Sequence, residues 1–559
     1  MPSKFNRAKL FNRSRDRDFL LKSAALIVAA SVAIGWIVSA VTFGAGLLPF
    51  MLGNGGGYAL EMTEIAMGEA EPGIEEFAEW VRQPRSLVAP YEVDIGEQFR
   101  PNSGGDTSDT NEADREEKSV VGLIEKSIAE SEKIDASERK LLTDLLHAYY
   151  GEKPAADEAV ESLRSASAME PPRRFASEFL GDALDRRHDY AGAIDAFARE
   201  AAAFPETRRP RAEWLRLLRQ EKRTDDLRAA LADPANRAAL DPGSRMEIAT
   251  ELRDWKWLVL ATVAHDFHFP SPGLALLCLL SGTIWAIVVT QFSGYDRPRL
   301  VWYGLALVLG FFSATATLVA VEIQENIRGF THHPDDTLFN QVIYCVAGIG
   351  LREEGLKLLF FLPLLPWLLR RGTEVDALVV AGLTGLGFAI NENVGYAGYG
   401  DGFEMVGGMT IWSRFLSATF FHAALTGVAG LAMYRLFRWR GKRWENALYD
   451  LLIVIVVHGA YDAVLMVPRF AEYSWTYLLF FAFSAYLFLD HMTHLSRPPS
   501  SLGVSPLGVF VWGSALLLGA IFVFGSWAMP FSVGFFSFLA VIASEIPFMF
   551  VFINRLREI

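Results

Sequence analysis

Apolar residues along this chain fall into three regimes. Residues 23–52 hold no Lys, Arg, Asp or Glu, which suits a retained membrane anchor and exceeds the core of a cleaved signal peptide. Between 119 and 257, Leu, Ala and aromatic residues recur every three or four positions among charged ones, the pattern of amphipathic helices. Beyond 271 the apolar runs lengthen to about 20 residues, enough to cross a bilayer. Ten spans are expected, near 23–52, 272–293, 300–321, 337–369, 377–398, 411–434, 446–466, 474–490, 504–528 and 531–553. The fold class that follows is all-α: a polytopic helical membrane protein of about ten spans with an extracytoplasmic, α-helical, repeat-like domain.

Charge divides the chain in the same places. Of 559 residues, 51% are apolar and 21% charged, with a net charge of −13. Residues 1–22 form a basic N-terminus of net charge +5, residues 53–257 carry −15, and residues 258–559 carry −3. An acidic insert with basic residues gathered beside spans speaks against nucleic acid as a partner and for the lipid bilayer. With the N-terminus cytoplasmic, the N-terminal segment, inner loops and C-terminal tail together hold nineteen Lys/Arg and the short outer loops only Arg328 and Arg469. The bias of short loops then places both termini in the cytoplasm and the insert outside, in a bacterium beyond the plasma (inner) membrane. Cys278 and Cys345 both lie in apolar runs, so no disulfide framework is expected. Nothing in the sequence specifies an oligomeric state.

Within the insert, 53–118 reads as a partly disordered acidic linker, Gly-rich at 53–57 and Gly, Ser and acid rich at 102–117. In the helical part, Leu180, Gly181, Ala193, Phe197 and Pro205 find counterparts 34 residues earlier at Leu146, Ala159, Leu163 and Pro171; going forward the match fades to Trp214, Leu218 and Leu227. Residues 119–257 thus resemble a short tetratricopeptide-like array, which implies a concave face that binds a protein partner. An ordinary Ala-rich helical bundle is the alternative.

Ionisable groups inside spans are costly, about 2.5–3.5 kcal/mol each on insertion scales, and call for a reason. The fourth span carries Arg352, Glu353, Glu354 and Lys357, the fifth Asn391, Glu392 and Asn393, the sixth His422, and the seventh Asp450, His458 and Asp462. At 1.5 Å per residue, Glu353 falls near the midplane, Glu392 roughly 7 Å outward, and His422 and His458 within roughly 3 Å of it. Lys357 is spaced to pair with either Glu353 or Glu354. Asp462, one turn from His458, is placed to select its tautomer. A small-residue stripe through Gly382, Gly385 and Ala389 leads to Glu392, and Arg414, Ala418, His422, Thr426 and Gly430 form another stripe on the sixth span. Glu545 in the tenth span has no companion at its depth and reads as structural. A structural Glu353–Lys357 pair and a hydrogen-bonded packing histidine are the bland readings; four spans delivering Glu, Glu, His and His to one layer favour a site.

At these residues the chain resembles the PrsW family of intramembrane proteases. The resemblance lies in Glu353-Glu354-x-x-Lys357, in Gly387-Phe388-Ala389-x-x-Glu392-Asn393-x-x-Tyr396, in His422 followed by Gly427 and Gly430, and in His458-Gly-Ala-Tyr-Asp462, all within a core at 272–466. Glu374 and Asp376, before the fifth span, match the family only loosely, and their depth argues against a direct catalytic role. The insert and the spans in 474–559 lie outside the resemblance. It implies hydrolysis of peptide bonds in membrane-anchored proteins, a regulator such as an anti-sigma factor among them. Glu353 or Glu354 would activate water, His422 and His458 would stabilise the oxyanion or protonate the leaving amine, and Glu392 would orient a histidine, with Lys357, Asn393 and Asp462 in support. Similarity to the prenyl-protein (CAAX) endopeptidase superfamily favours glutamate catalysis without a cofactor. Zinc is the alternative, with Glu354, His422 and His458 as ligands, although HExxH spacing is missing. Two other classes remain: a proton- or ion-coupled transporter, which also gathers such groups at the midplane, and a non-catalytic receptor with an outer binding domain.

Overall fold

A computed structural model describes residues 11–43, 73–82, 121–269, 271–293, 297–398, 404–495, 504–527 and 531–558. The regular structure among these residues is all helical, with no strand. The chain is a polytopic helical membrane protein: eight helices among the described residues are long and apolar enough to cross a membrane. It divides into a membrane unit, residues 1–45 with 262–559, and an insert unit, residues 46–261.

In the membrane unit the helices are α1 (Arg17–Phe43), α2 (Pro272–Thr290), α3 (Arg297–Arg328), α4 (Leu351–Phe361), α5 (Glu374–Gly398), α6 (Glu404–Leu416), α7 (Ala418–Arg438), α8 (Trp444–Met466), α9 (Tyr477–Leu495), α10 (Pro506–Gly525), α11 (Phe531–Ser544) and α12 (Ile546–Glu558). Three of the ten expected spans are not single straight helices; the sixth, 411–434, is broken at Ser417 between α6 and α7. The last is bent by 54° at Glu545, between α11 and α12. The fourth, expected over 337–369, is a chain of short pieces: Leu338–Ile343, a π-helix at Tyr344–Gly350, α4, a 3₁₀ turn at Leu362–Leu364, and Leu365–Arg371. Pro363 and Pro366 remove backbone donors at its far end. At its near end the π-helix lies backbone to backbone on α8, where a methyl on Gly459 would strike Val346 and one on Gly350 would meet the carbonyl of Ile455.

α5 is the axis of the unit, buried along most of its length between α3 and α7. The stripe read from the sequence is its α7 face, for any side chain at Gly385 would collide with the carbonyl oxygen of His422. This backbone approach brings the polar faces of two apolar helices into hydrogen-bonding range. α9 packs on α7 through Phe488, and α1 packs along α10, with Trp512 Nε1 donating to Ser23 Oγ at 2.7 Å and Ser505 bonded to Ser14. The spans in 474–559 are therefore part of the same packed unit as the core at 272–466.

The insert is a succession of helices in which each packs on the next: Ala136–Tyr150, Ala155–Ser167, Ala176–Arg186, Tyr190–Ala203 and Arg209–Gln220, followed by shorter ones. Most positions of the 34-residue period are core positions, although Pro171 and Pro205 are exposed and Trp214 is half-buried. Leu146, Ala159, Leu163, Leu180, Ala193, Phe197 and Leu218 are all buried, and the Phe197 ring fills the space a side chain on Gly181 would take. Buried Glu200 accepts the N–H groups of Phe175 and Ser177 at 2.6 and 3.1 Å, capping Ala176–Arg186, and burial pushes its carboxyl up to about 7. Part of the expected linker is ordered: Ile74–Arg82 is a helix that buries Ile74, Phe77, Ala78 and Val81. Its Arg82 bridges Glu178 and Asp182 at 2.8 and 2.7 Å. The Gly-rich 53–57 and the stretch 102–117 lie outside the described residues.

Candidate active site

Five helices converge on one buried polar cluster. α4 supplies Glu353, Glu354 and Lys357 from consecutive turns, α5 Glu392 and Asn393, α6 Arg414, α7 His422 and Thr426, and α8 His458 and Asp462. Lys357 is its centre and is fully buried. Its ammonium donates to Glu354 Oε1 at 2.8 Å, to His422 Nδ1 at 2.9 Å and to Glu353 Oε2 at 3.2 Å, and lies 3.9 Å from the centre of the Phe388 ring. An ammonium has three donors and no acceptor, so all of its hydrogen-bonding capacity is used.

These partners assign the histidine tautomers. His422 Nδ1 accepts from Lys357, so Nε2 carries the proton and donates to Glu392 Oε2 at 2.8 Å. Glu392 is held in turn by Arg414 at 2.5 Å, while the same guanidinium donates to Asn393 Oδ1 at 2.6 Å and stacks on Tyr396. His458 donates from Nδ1 to Glu354 Oε1 at 2.8 Å, and Thr426 donates to the other oxygen of Glu354 at 3.1 Å. The lone pair of His458 Nε2 is left facing Glu353 Oε2 and Asp462 Oδ2, each at 3.5 Å. Asp462 Oδ2 is buried and makes no hydrogen bond.

The two glutamates of the pair are thereby unequal. Glu354 is 1% exposed and both of its oxygens are occupied, whereas Glu353 is 8% exposed and only its Oε2 is engaged. Glu354 is placed to position Lys357 and His458, and Glu353 to meet a reactant.

The donors fit a divalent metal in their chemistry. Ligand atoms of Glu353, His422 and His458 all lie within 4.8 Å of one another. Two His and a carboxylate are an ordinary zinc set, and two ligands about 2.1 Å from a tetrahedral ion lie about 3.4 Å apart, close to the His458–Glu353 separation. Glu354, expected from the sequence as a ligand, instead holds the Nδ1 side of His458, as outer carboxylates of metal-bound histidines do. Four carboxylates, Glu353, Glu354, Glu392 and Asp462, stand against two cations, Lys357 and Arg414. Protons or a divalent ion can supply the two missing positive charges. Ligation by His422 through Nδ1 would require Lys357 to withdraw from that nitrogen.

All five residues expected in catalysis and all three expected in support come together. Asp462 does so in a different place from the one expected: it lies by Nε2 of His458, and Glu354 sets the tautomer. Asp450 shares the helix but lines a separate cavity. Glu374 pairs with Arg435 at 2.6 Å, and Asp376 is buried against Arg299 at 3.1 Å, so both brace the start of α5. Glu545 has a partner after all in Ser413. Asn391 donates to Asp266 at 3.0 Å and to the Phe311 carbonyl at 3.2 Å, which fixes the rotation of α5 beside Glu392. The sequence reading missed Arg414 as the cation of Glu392 and Thr426 as a donor to Glu354; their place in the stripe with His422 was the available signal.

Residues 298–488 match the family described as PrsW family intramembrane metalloprotease. Every residue of the polar cluster lies in that stretch, which begins later than the expected core and runs on into α9. The chain is also 24% identical over 226 residues to Protease PrsW of Clostridioides difficile (strain 630), an alignment covering 40% of this chain and 89% of that protein. No solved structure matches the chain. The PrsW-like region excludes the insert, α1, α2 and α10 to α12.

Proposed function

We propose that this chain is an intramembrane protease that hydrolyses peptide bonds of membrane-anchored proteins. The observation that carries this reading is the half-open carboxylate of Glu353 beside the fixed Lys357, His422 and His458, inside a region similar to a protease family. Glu353 takes the proton of a water, and that water attacks the scissile carbonyl. One N–H of Lys357 turns from its present partner to the developing oxyanion, and the proton taken by Glu353 returns to the leaving amine directly or through the free Nε2 of His458. Glu354 and Glu392 hold the two imidazoles in their tautomers. A second reading, favoured by the convergence of Glu353, His422 and His458, has these three residues hold a divalent metal, which would polarise the scissile carbonyl.

The purified chain in liposomes with a membrane-anchored test protein is expected to release fragments cut within the anchor. Loss of cleavage on chelation, with recovery on adding zinc, selects the metal reading. Chelator-resistant cleavage with no metal in elemental analysis selects glutamate catalysis. Absence of cleavage across a panel of anchors, with uptake of an ion or solute instead, would return the site to a transporter.

The insert acts in this proposal as the recognition element, a tetratricopeptide-like array in which successive helices and the 34-residue period build a partner-binding face. Deleting 119–257 is expected to lower cleavage of a natural substrate much more than cleavage of a short generic transmembrane peptide. Equal loss on both would make the insert structural. We place the chain in a bacterial plasma membrane with the insert outside. Cys278 and Cys345 are buried free thiols, so a cysteine at Ser108, outside the described residues, should be the thiol that reacts with an impermeant maleimide in intact spheroplasts. Labelling only after lysis reverses the topology.

A further inference from the structure

A cavity of 410 Å³ opens where the end of α7, the turn after it, the start of α8 and the end of α9 meet. The apolar spans Gly407–Arg438 and Trp444–Met466 end and begin there, so the cavity stands at the headgroup level of the membrane. Its lining includes charges of both signs. Arg435 is already matched, with both donating nitrogens on Glu374 at 3.0 and 2.6 Å. The exposed Arg443 is not matched in this way: among the described residues its side chain has no hydrogen bond or ion pair, and its guanidinium lies over the Trp439 ring, 5.5 Å from the centre. The Asp450 carboxylate likewise has no hydrogen bond or ion pair among them, its titratable or charged neighbours being His491 and Arg435. Ala432, Leu436 and Ala447 give one aliphatic strip in a wall that also holds Trp439, Tyr449 and the polar Asn446.

The turn that carries Arg443 is conformationally costly. Arg440 and Arg443 both adopt left-handed backbone, at φ 53° and 63°, around Gly441 at φ 76°. A non-glycine residue there costs of order 1–3 kcal/mol and persists where the surroundings or a ligand over-determine it. A basic loop placed only to fix topology needs neither such a backbone nor a cavity with an unpaired acid in it.

We infer that this cavity binds the headgroup of a zwitterionic aminophospholipid of the phosphoethanolamine class, with its phosphate on Arg443 and its ammonium on Asp450. A phosphate alone leaves Asp450 facing an anion. A choline headgroup keeps the positive charge but has no N–H to give the carboxylate. The phosphoethanolamine headgroup supplies both complements at once, and its acyl chains leave past the aliphatic strip of Ala432, Leu436 and Ala447.

The test uses the full-length chain in nanodiscs of phosphatidylethanolamine, phosphatidylcholine or phosphatidylglycerol, with lipids retained after delipidation read by native mass spectrometry. The expected result is retention of phosphatidylethanolamine over phosphatidylcholine by about tenfold, as befits loss of one charge-assisted hydrogen bond. Arg443→Gln and Asp450→Asn should each abolish that preference, and Arg443→Lys should keep part of it. Soluble glycerophosphoethanolamine should compete where inorganic phosphate does not, which separates the headgroup from free phosphate as the source. Equal retention of the choline and ethanolamine lipids, preference for phosphatidylglycerol, or an Asp450→Asn chain that retains phosphatidylethanolamine like the wild type would each overturn the proposal. All three substitutions lie outside the Glu353 cluster, so protease activity serves as the check on folding.

Discussion

Glu353→Gln is expected to abolish cleavage while leaving the protein folded and abundant. The amide keeps the shape and one acceptor for Lys357 but cannot take a proton from water, and losing a positioned base costs typically 10²–10⁴-fold in rate, about 3–5 kcal/mol of barrier. Glu354→Gln should lose activity for a different reason. Its Oε1 accepts from both Lys357 and His458, and its Oε2 accepts from Thr426. An amide nitrogen in place of either oxygen would meet donors with donors, and a broken buried pair costs about 3–5 kcal/mol of stability. Rates and thermal unfolding of both variants in detergent separate the roles: Glu353→Gln inactive at wild-type stability, Glu354→Gln inactive and less stable. Full activity of Glu353→Gln would remove that residue as the base, and full activity of both would end the protease proposal.

Lys357→Met should be the most damaging single change in the membrane unit. It leaves Glu353 and Glu354 side by side in a buried site and strips His422 Nδ1 of its donor. Uncompensated buried charge of this kind costs about 3–5 kcal/mol, a large share of a typical domain's stability. The variant is expected to accumulate poorly. Adding Glu354→Gln should restore accumulation without restoring cleavage, a non-additivity that a double-mutant cycle measures directly. A Lys357→Met chain as stable as the wild type would show that the polar cluster does not hold α4 in place.

Most spans were legible because lipid accepts little besides long apolar runs. The expected 272–293, 377–398 and 446–466 match one end of Pro272–Thr290, Glu374–Gly398 and Trp444–Met466 and differ by two or three residues at the other. The site residues were legible for the complementary reason, that charge at the midplane is too costly to be incidental. The break in the fourth span was only half visible. Pro363 and Pro366 announce one end, but the π-helix at Tyr344–Gly350 lies against Gly459, a contact with no local signature. Arg414 was read as one member of a stripe, and its reach to Glu392 depends on the break at Ser417 that separates α6 from α7. The helix Ile74–Arg82 was hidden by its Gly-rich and acidic flanks, since the acids that hold Arg82 lie 96 and 100 residues further on.

A ribosome that has just delivered α4 to the insertion machinery has not yet made the groups that complete its charge pairing. Lys357 can meet Glu353 and Glu354 within the helix, but His422, Thr426 and His458 come 65, 72 and 104 residues later along their respective contacts. At about 5–20 residues per second, the nascent chain waits roughly 5–20 s for α8. During that interval a segment with Arg352, Glu353, Glu354 and Lys357 in six residues is a poor candidate for release into lipid on its own. Biogenesis must therefore keep it sheltered beside α3, or in the insertion machinery, until α8 emerges. A message truncated before His458 would yield a chain whose fourth segment never finds its last partner, an obvious substrate for membrane quality control.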